Sequence, residues 1–163
     1  MVTTPRGSGN QQETANLGIF RPPLIYGASI AIGLALHWMW PRPLLSGVTL
    51  GPLGSVLVVA SLLLFGASVQ RFRAARTSVP AHKPTTAIVR TGPYRFSRNP
   101  IYLAFSLLQL GIAVWVQSWW LVATLAAAIA MVHSVVIPRE ERYLAARFGA
   151  EYRDYKTSVR RWL

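Results

Sequence analysis

The sequence predicts an all-α, polytopic membrane protein. Four transmembrane helices, the last two forming a helical hairpin, are followed by an amphipathic helix on the cytoplasmic side. Three observations predict this class. Of the 163 residues 52% are apolar and only 13% charged, about half the charged share of a soluble globular domain. The apolar residues gather in blocks instead of alternating with polar ones. The basic residues stand between those blocks, where a membrane protein keeps them on its cytoplasmic face.

The charge balance supports the same reading. Seventeen Lys and Arg face five Asp and Glu, a net charge of +12. Such an excess suggests nucleic acid when it forms one basic face, but here it is confined to the connectors, and no nucleic-acid partner is expected. There is no cysteine, which excludes disulfides, thiolate catalysis and cysteine-ligated metals. No His, Asp or Glu spacing suggests a metal site, and no Gly-rich phosphate loop or nucleophile elbow is present.

Residues 1–22 hold no apolar run suited to a cleaved signal peptide and read as a flexible polar tail, with residues 23–163 forming one membrane domain. The first apolar block, about residues 24–40, contains no Lys, Arg, Asp or Glu and ends at Trp38, Trp40 and Pro41. It just reaches the length of about 17–25 residues that crosses a bilayer, and its Trp pair resembles an interfacial anchor before a helix stop. A connector rich in Gly and Pro, Arg42 to Gly54, leads to the second block, about residues 53–69.

A basic segment, residues 71–100, follows; within it HKPTTAIVRTGPYRFSRNPIY runs from His82 to Tyr102. The third block spans about 101–116 and the fourth about 119–137, separated only by Gln117 and Ser118. Two residues suffice for a tight helical hairpin, so these blocks are antiparallel neighbours. The tail carries apolar and aromatic residues at Leu144, Phe148, Tyr152, Tyr155, Val159 and Trp162. Their spacing of three or four predicts an amphipathic helix over about 139–160, with Gly149 as a kink or break.

Orientation follows from the charges. The segment Arg71 to Arg98 carries seven Lys or Arg and the C-terminal tail another seven, whereas the two opposite connectors share only Arg42. The positive-inside rule places both termini, the central loop and the tail in the cytoplasm, and the chain in the inner (plasma) membrane. Trp38, Trp40, Trp115, Trp119 and Trp120 then lie at the opposite face.

This topology brings chemistry together. Glu140 and Glu141 follow the fourth span, and Arg98 and Asn99 precede the third. The two ends of a hairpin are close, so these four residues meet at one membrane face. Asn99 and Pro100 also have the form of a helix start, Asn as N-cap and Pro in the first turn. Arg90, Arg95 and Arg98 serve equally as positive-inside charges near lipid headgroups. His37 and His133 lie within spans, where an ionisable side chain is by default a functional suspect; His133 is the one nearer the cytoplasmic end.

The stretch GPYRFSRNPIYL, two spans, and then EERYLAARFGAEYRDYKTSVRRW strongly resembles the isoprenylcysteine carboxyl methyltransferase family and its phospholipid methyltransferase relatives. The matching positions are Gly92 and Tyr94; Arg98, Pro100 and Tyr102; Glu140, Glu141 and Leu144; and Phe148, Gly149, Glu151, Tyr152 and Tyr155. The likeness covers about residues 82–162, and Asn99 stands where the family pattern has His. The resemblance implies an integral-membrane enzyme with S-adenosylmethionine (SAM) as methyl donor and S-adenosylhomocysteine (SAH) as product. It implies a cofactor pocket drawn from His82, Thr91, Gly92, Tyr94, Arg98, Asn99, Pro100, Tyr102, Glu140, Tyr152 and Tyr155. A small lipophilic acceptor, a carboxylate, amine or thiol, would enter from the bilayer, with no obligate protein partner.

The side chains supply a physical reading beside that resemblance. Methyl transfer from a sulfonium is an in-line displacement that needs alignment and a dry site. Arg98 is suited to hold a carboxylate acceptor bidentately. Glu140 or Glu141 is suited to take the proton from an amine or thiol. These three are the catalytic candidates. Asn cannot serve as a base near neutral pH, so Asn99 leaves a second reading open: a non-catalytic protein of the same fold that binds a lipid or nucleotide.

Overall fold

A computed structural model describes residues 21–45, 47–77 and 85–163 of the chain. The expected N-terminal tail lies almost wholly outside the described residues, as does His82. All regular structure among the described residues is helical. α1 spans Pro22–Met39, α2 Gly51–Ala74, α3 Pro100–Val116, α4 Trp119–Met131, α5 Ile137–Phe148 and α6 Ala150–Ser158. A 3-10 turn, Gly92–Arg95, precedes α3, and a π turn, Val132–Val136, joins α4 to α5.

Three helices are long and apolar enough to cross a membrane: α1, α2 and the continuous helix Trp119–Phe148. α3 is equally apolar but shorter, at 17 residues. α2 runs past the expected end of its block because Gln70, Arg71 and Arg73 continue a helix readily where no Gly or Pro intervenes. It stops where Arg76 turns to a positive φ of 48°.

The helix of the fourth block also outruns its expected end. Pro138 lacks an N–H, and its ring crowds the carbonyl of Ser134, which would end an ordinary helix. The chain instead widens into the π turn just before it and continues to Phe148. The tail is therefore not a single helix over 139–160. α5 extends the fourth block, Gly149 breaks it at φ +54°, and α6 ends at Ser158.

Small residues let the helices approach. A Cβ at Gly54 would lie 2.7 Å from Trp115 N and 2.8 Å from Gly111 O, and one at Gly111 would lie 2.9 Å from Val58 N. The α2–α3 contact is thus backbone against backbone, the packing that small residues permit inside a membrane. α1 packs on α4, where a Cβ at Gly33 would meet Leu121 and Thr124 at 2.7 and 2.8 Å. Buried hydrogen bonds tie α1 to α3: Tyr26 pairs with Ser106 at 2.7 Å, and Gln109 Nε2 donates to Ser29 Oγ at 2.7 Å.

The α3–α4 connection is the two-residue turn the sequence predicts. Gln117 takes the left-handed conformation (φ 58°), and Ser118 caps α4 by accepting from Leu121 N. The α1–α2 connector lies against this turn: Trp119 N donates to Arg42 O, and Gln117 Nε2 donates to Val48 O. The expected ring of Trp gathers at this end. Trp38, Trp40, Trp115 and Trp119 are exposed, and Trp120 Nε1 donates to Trp40 O at 2.7 Å.

Candidate active site at the hairpin ends

The opposite end of the bundle holds the chemistry. The 3-10 turn places Tyr94 inward, where it is buried edge-on against Phe72 of α2 with ring centroids 5.3 Å apart. Gly92 permits the entry, since its φ is +62° and a Cβ there would lie 2.7 Å from Arg71 Nε. Tyr155 of α6 donates to Tyr94 O at 2.8 Å, clasping the turn from the far side. Arg90 stacks over Tyr155, 5.7 Å from its ring centroid, and donates to Glu151 O.

Between these groups lies a cavity of about 80 Å³. Eight of the expected residues line it: Tyr94, Arg98, Asn99, Tyr102, Glu140, Glu141, Tyr152 and Tyr155. Thr91, Gly92 and Pro100 do not line it: Thr91 is exposed, Gly92 shapes the turn, and Pro100 is buried at the start of α3. The apolar wall contributed by Phe72, Val89, Ile101 and Ile137 was not among the sequence expectations. Nothing in a lone hydrophobic residue marks it as wall instead of core.

Adjacent residues on a helix point about 100° apart, so the two glutamates meet different surroundings. Glu140 turns toward α3 and accepts from Tyr102 Oη at 2.6 Å. It lies past the apolar end of its span, which closes at Ile137. Burial pushes its carboxyl up to about 7; the Tyr102 hydrogen bond opposes that rise, and the neighbouring charge of Glu141 adds to it. Glu141 is also buried, which by itself raises its pKa. Hydrogen bonds from Arg161 and Lys156 and the charge of Arg98 outweigh burial and hold it below the usual carboxylate range. Glu140 is therefore poised near neutrality and Glu141 is locked ionised. Burial likewise raises the Tyr94 hydroxyl and pushes Tyr155 up to about 12, so both remain neutral donors.

Three cations surround Glu141. Arg161 grips it with a fork, Nε to Oε1 at 3.1 Å and Nη2 to Oε2 at 3.0 Å. Lys156 Nζ reaches Oε2 at 3.1 Å, and Arg98 Nη1 stands 3.1 Å from Oε1. The Arg98 contact is one of charge alone, because its buried Nε and Nη1 make no hydrogen bond. Neither Arg161 nor Lys156 was a sequence candidate. Both sit among many basic tail residues, and nothing local distinguishes them.

The expected cap at Asn99 is not formed. Asn99 makes no side-chain hydrogen bond to the first turn of α3; its amide donates instead to Arg161 O at 2.9 Å. Its own N–H goes to Ser97 Oγ at 3.1 Å. The backbone at Asn99 (φ −128°, ψ 51°) is away from the extended conformation that capping uses. His133 does not reach the cavity; it is exposed and accepts from Trp162 Nε1 at 3.1 Å. His37 is not among the lining residues either, and its Nδ1 is buried without a hydrogen-bond partner.

Comparison with known proteins places this geometry in a family. The chain is 35% identical over 116 residues to the cobalt-zinc-cadmium resistance protein CzcN of Cupriavidus metallidurans, a match covering 71% of this chain and 47% of that protein. It is 38% identical over 63 residues to an uncharacterized protein of Haemophilus influenzae, covering 39% of this chain and 100% of that one. It is 36% identical over 73 residues to the nickel-cobalt-cadmium resistance protein NccN of Alcaligenes xylosoxydans xylosoxydans, covering 45% and 34%. The chain thus spans about half the length of CzcN and a third of NccN. No solved structure matches it. The phospholipid methyltransferase family model matches residues 47–151, from the connector before α2 through the glutamate pair to the start of α6, and the chain belongs to that family.

Proposed function

We propose that the chain is an integral-membrane, SAM-dependent methyltransferase acting on a small lipophilic acceptor. One observation carries the reading. Arg98, with its side chain only 9% exposed, keeps Nε and Nη1 without hydrogen bonds in a cavity walled by Tyr94, Tyr102, Tyr152 and Tyr155. A buried guanidinium left in that state costs free energy unless an anionic group completes it.

The donor set suits SAM. Arg98 would hold its carboxylate in a charge-assisted hydrogen bond. The tyrosine faces would receive the cationic sulfonium, and Phe72, Val89 and Ile101 supply apolar walls. When bound, SAM supplies an electrophilic methyl group. The enclosed 80 Å³ is smaller than the roughly 300–1,000 Å³ of a site for a ligand of that size, so binding requires the walls to part. The chain's own contribution is then to exclude water, to fix the anion on Arg98 and to take a proton on Glu140. Glu141, occupied by three cations, anchors the cluster and is not the base.

Glu140 favours an acceptor that loses a proton, an amine or thiol, over a carboxylate. The names of two relatives speak of metal resistance. Those names are said of the relatives; the methyl-transfer reading rests on Arg98 and the cavity around it. Calorimetry with SAH tests it. Saturable binding is expected for the native chain, with a loss of about tenfold or more for Arg98→Gln, the scale of one buried charge-assisted contact. Absence of binding at millimolar SAH overturns the proposal.

A further inference from the structure

Two buried nitrogens of Arg98, Nε and Nη1, make no hydrogen bond although Glu141 stands beside them, because another residue has taken that carboxylate. Glu141 offers one negative charge to Arg98, Lys156 and Arg161. Arg161 occupies both carboxylate oxygens with a planar fork, the strongest geometry available to the pair. Arg98 Nη1 is left at 3.1 Å from Oε1 in a contact of charge alone, with Nε and Nη1 making no hydrogen bond. Arg161 is also the outer of the two arginines, its side chain 28% exposed against 9% for Arg98.

The placement of Arg161 comes from a strap. Beyond α6 the chain turns extended at Val159 and crosses the start of α3. There Arg98 N donates to Arg160 O at 3.0 Å and Asn99 Nδ2 to Arg161 O at 2.9 Å. Trp162 is held on the other side by its 3.1 Å hydrogen bond to His133 Nδ1, with the rings stacked at an interplanar angle of 14°. The backbone of Arg161 is therefore held from both sides, and its guanidinium falls on Glu141.

We propose that Arg161 is a positioning residue: by neutralising Glu141 it keeps Arg98 available to the anionic end of the cavity's ligand, and Asn99 acts through it by holding the strap. The inference rests on the methyltransferase reading and adds two residues to it. Without Arg161, the less neutralised Glu141 turns the existing 3.1 Å contact with Arg98 into a hydrogen-bonded pair, and the nitrogens the cavity offers an anion are taken up even though Arg98 is intact.

The test is a double-variant series on the full chain in lipid nanodiscs, with SAH binding read by calorimetry and folding by thermal melting. Arg161→Gln weakens binding about tenfold or more, as losing one charge-assisted contact does. Arg161→Lys keeps the charge and recovers most of that loss. Arg161→Gln combined with Glu141→Gln also recovers it, because Arg98 no longer has a carboxylate to collapse onto. A residue that merely pinned the strap would not be rescued by removing Glu141. Asn99→Ala changes no charge and gives a smaller loss, about threefold, reversed by the same Glu141→Gln; it carries the test if Arg161→Gln fails to fold. The inference is overturned if the native chain binds SAH and Arg161→Gln binds equally, or if Glu141→Gln fails to restore binding. Failure of the native chain itself to bind SAH overturns the methyltransferase reading instead.

Discussion

At the scale of single residues, the site separates two adjacent carboxylates by their surroundings. Glu140 has one neutral partner, Tyr102, and little solvent; Glu141 has three cations. The sign of the pH effect follows. The carboxyl of Glu140 titrates near 7 when folded, above its ordinary 4.5, so folding favours its protonated form. That contribution is complete below about pH 4.5, is lost as pH rises to 7, and stays lost above, on the order of 3 kcal/mol for a shift of this size. Glu140→Gln removes the titration. The melting temperature of the variant should gain on the native chain between pH 5 and 8, and a constant difference across that range would refute the assignment. In the proposed methyl transfer, Glu140 would have to be ionised to take a proton. With an amine or thiol acceptor, turnover of the native chain rises through pH 7, and Glu140→Gln lowers turnover more than SAH affinity. A flat profile would point to a carboxylate acceptor, which needs no base.

At the scale of elements, close helix packing supports the site from a distance. α2 carries Phe72 to the cavity wall only because Gly54 and Gly111 let α2 and α3 touch along their backbones. Gly111→Val would drive a side chain into Val58 N, an overpacking cost of about 1–3 kcal/mol. Gly66 lies on the same helix pair with nothing within 4 Å of a Cβ, so Gly66→Val serves as the control. Thermal unfolding in detergent should drop for Gly111→Val and stay unchanged for Gly66→Val; equal melting of the two would refute the contact. The helix around Pro138 is the second device. The π turn carries the backbone past the proline without a break, and the glutamate pair therefore stays on a rigid extension of the span.

At the scale of the whole molecule, the two ends of the bundle have opposite characters. One end gathers exposed Trp and the α1–α2 and α3–α4 connectors; the other gathers the cavity and the basic segments. We take all four apolar helices to cross the membrane, with both termini and the cavity on the cytoplasmic side. A reporter fused after Leu163 tests this: green fluorescent protein should fluoresce and alkaline phosphatase should be inactive, and the reverse pattern would invert the topology. A reporter placed in the Arg42 to Gly54 connector should behave oppositely.

How much of this was legible beforehand depends on distance along the chain. Apolar runs, basic connectors and the Gln117-Ser118 turn are local properties, so the all-helical class, the hairpin and the meeting of Arg98 with the glutamates follow from the sequence alone. The fourth block outruns its expected end because a π turn carries the helix past Pro138, a rearrangement that no local residue pattern announces. Asn99 was misleading because the local role of cap lost to a carbonyl 62 residues away. The identity of the Glu141 partners was beyond reach, since Arg161 and Lys156 lie 20 and 15 residues from it among a tail full of like charges. Which cation takes both oxygens of the carboxylate, and which arginine keeps unbonded nitrogens beside it, depends on how the strap folds back across α3. Hydrophobicity dictates where the chain crosses the membrane; only long-range closure of the tail decides what its buried charges are free to bind.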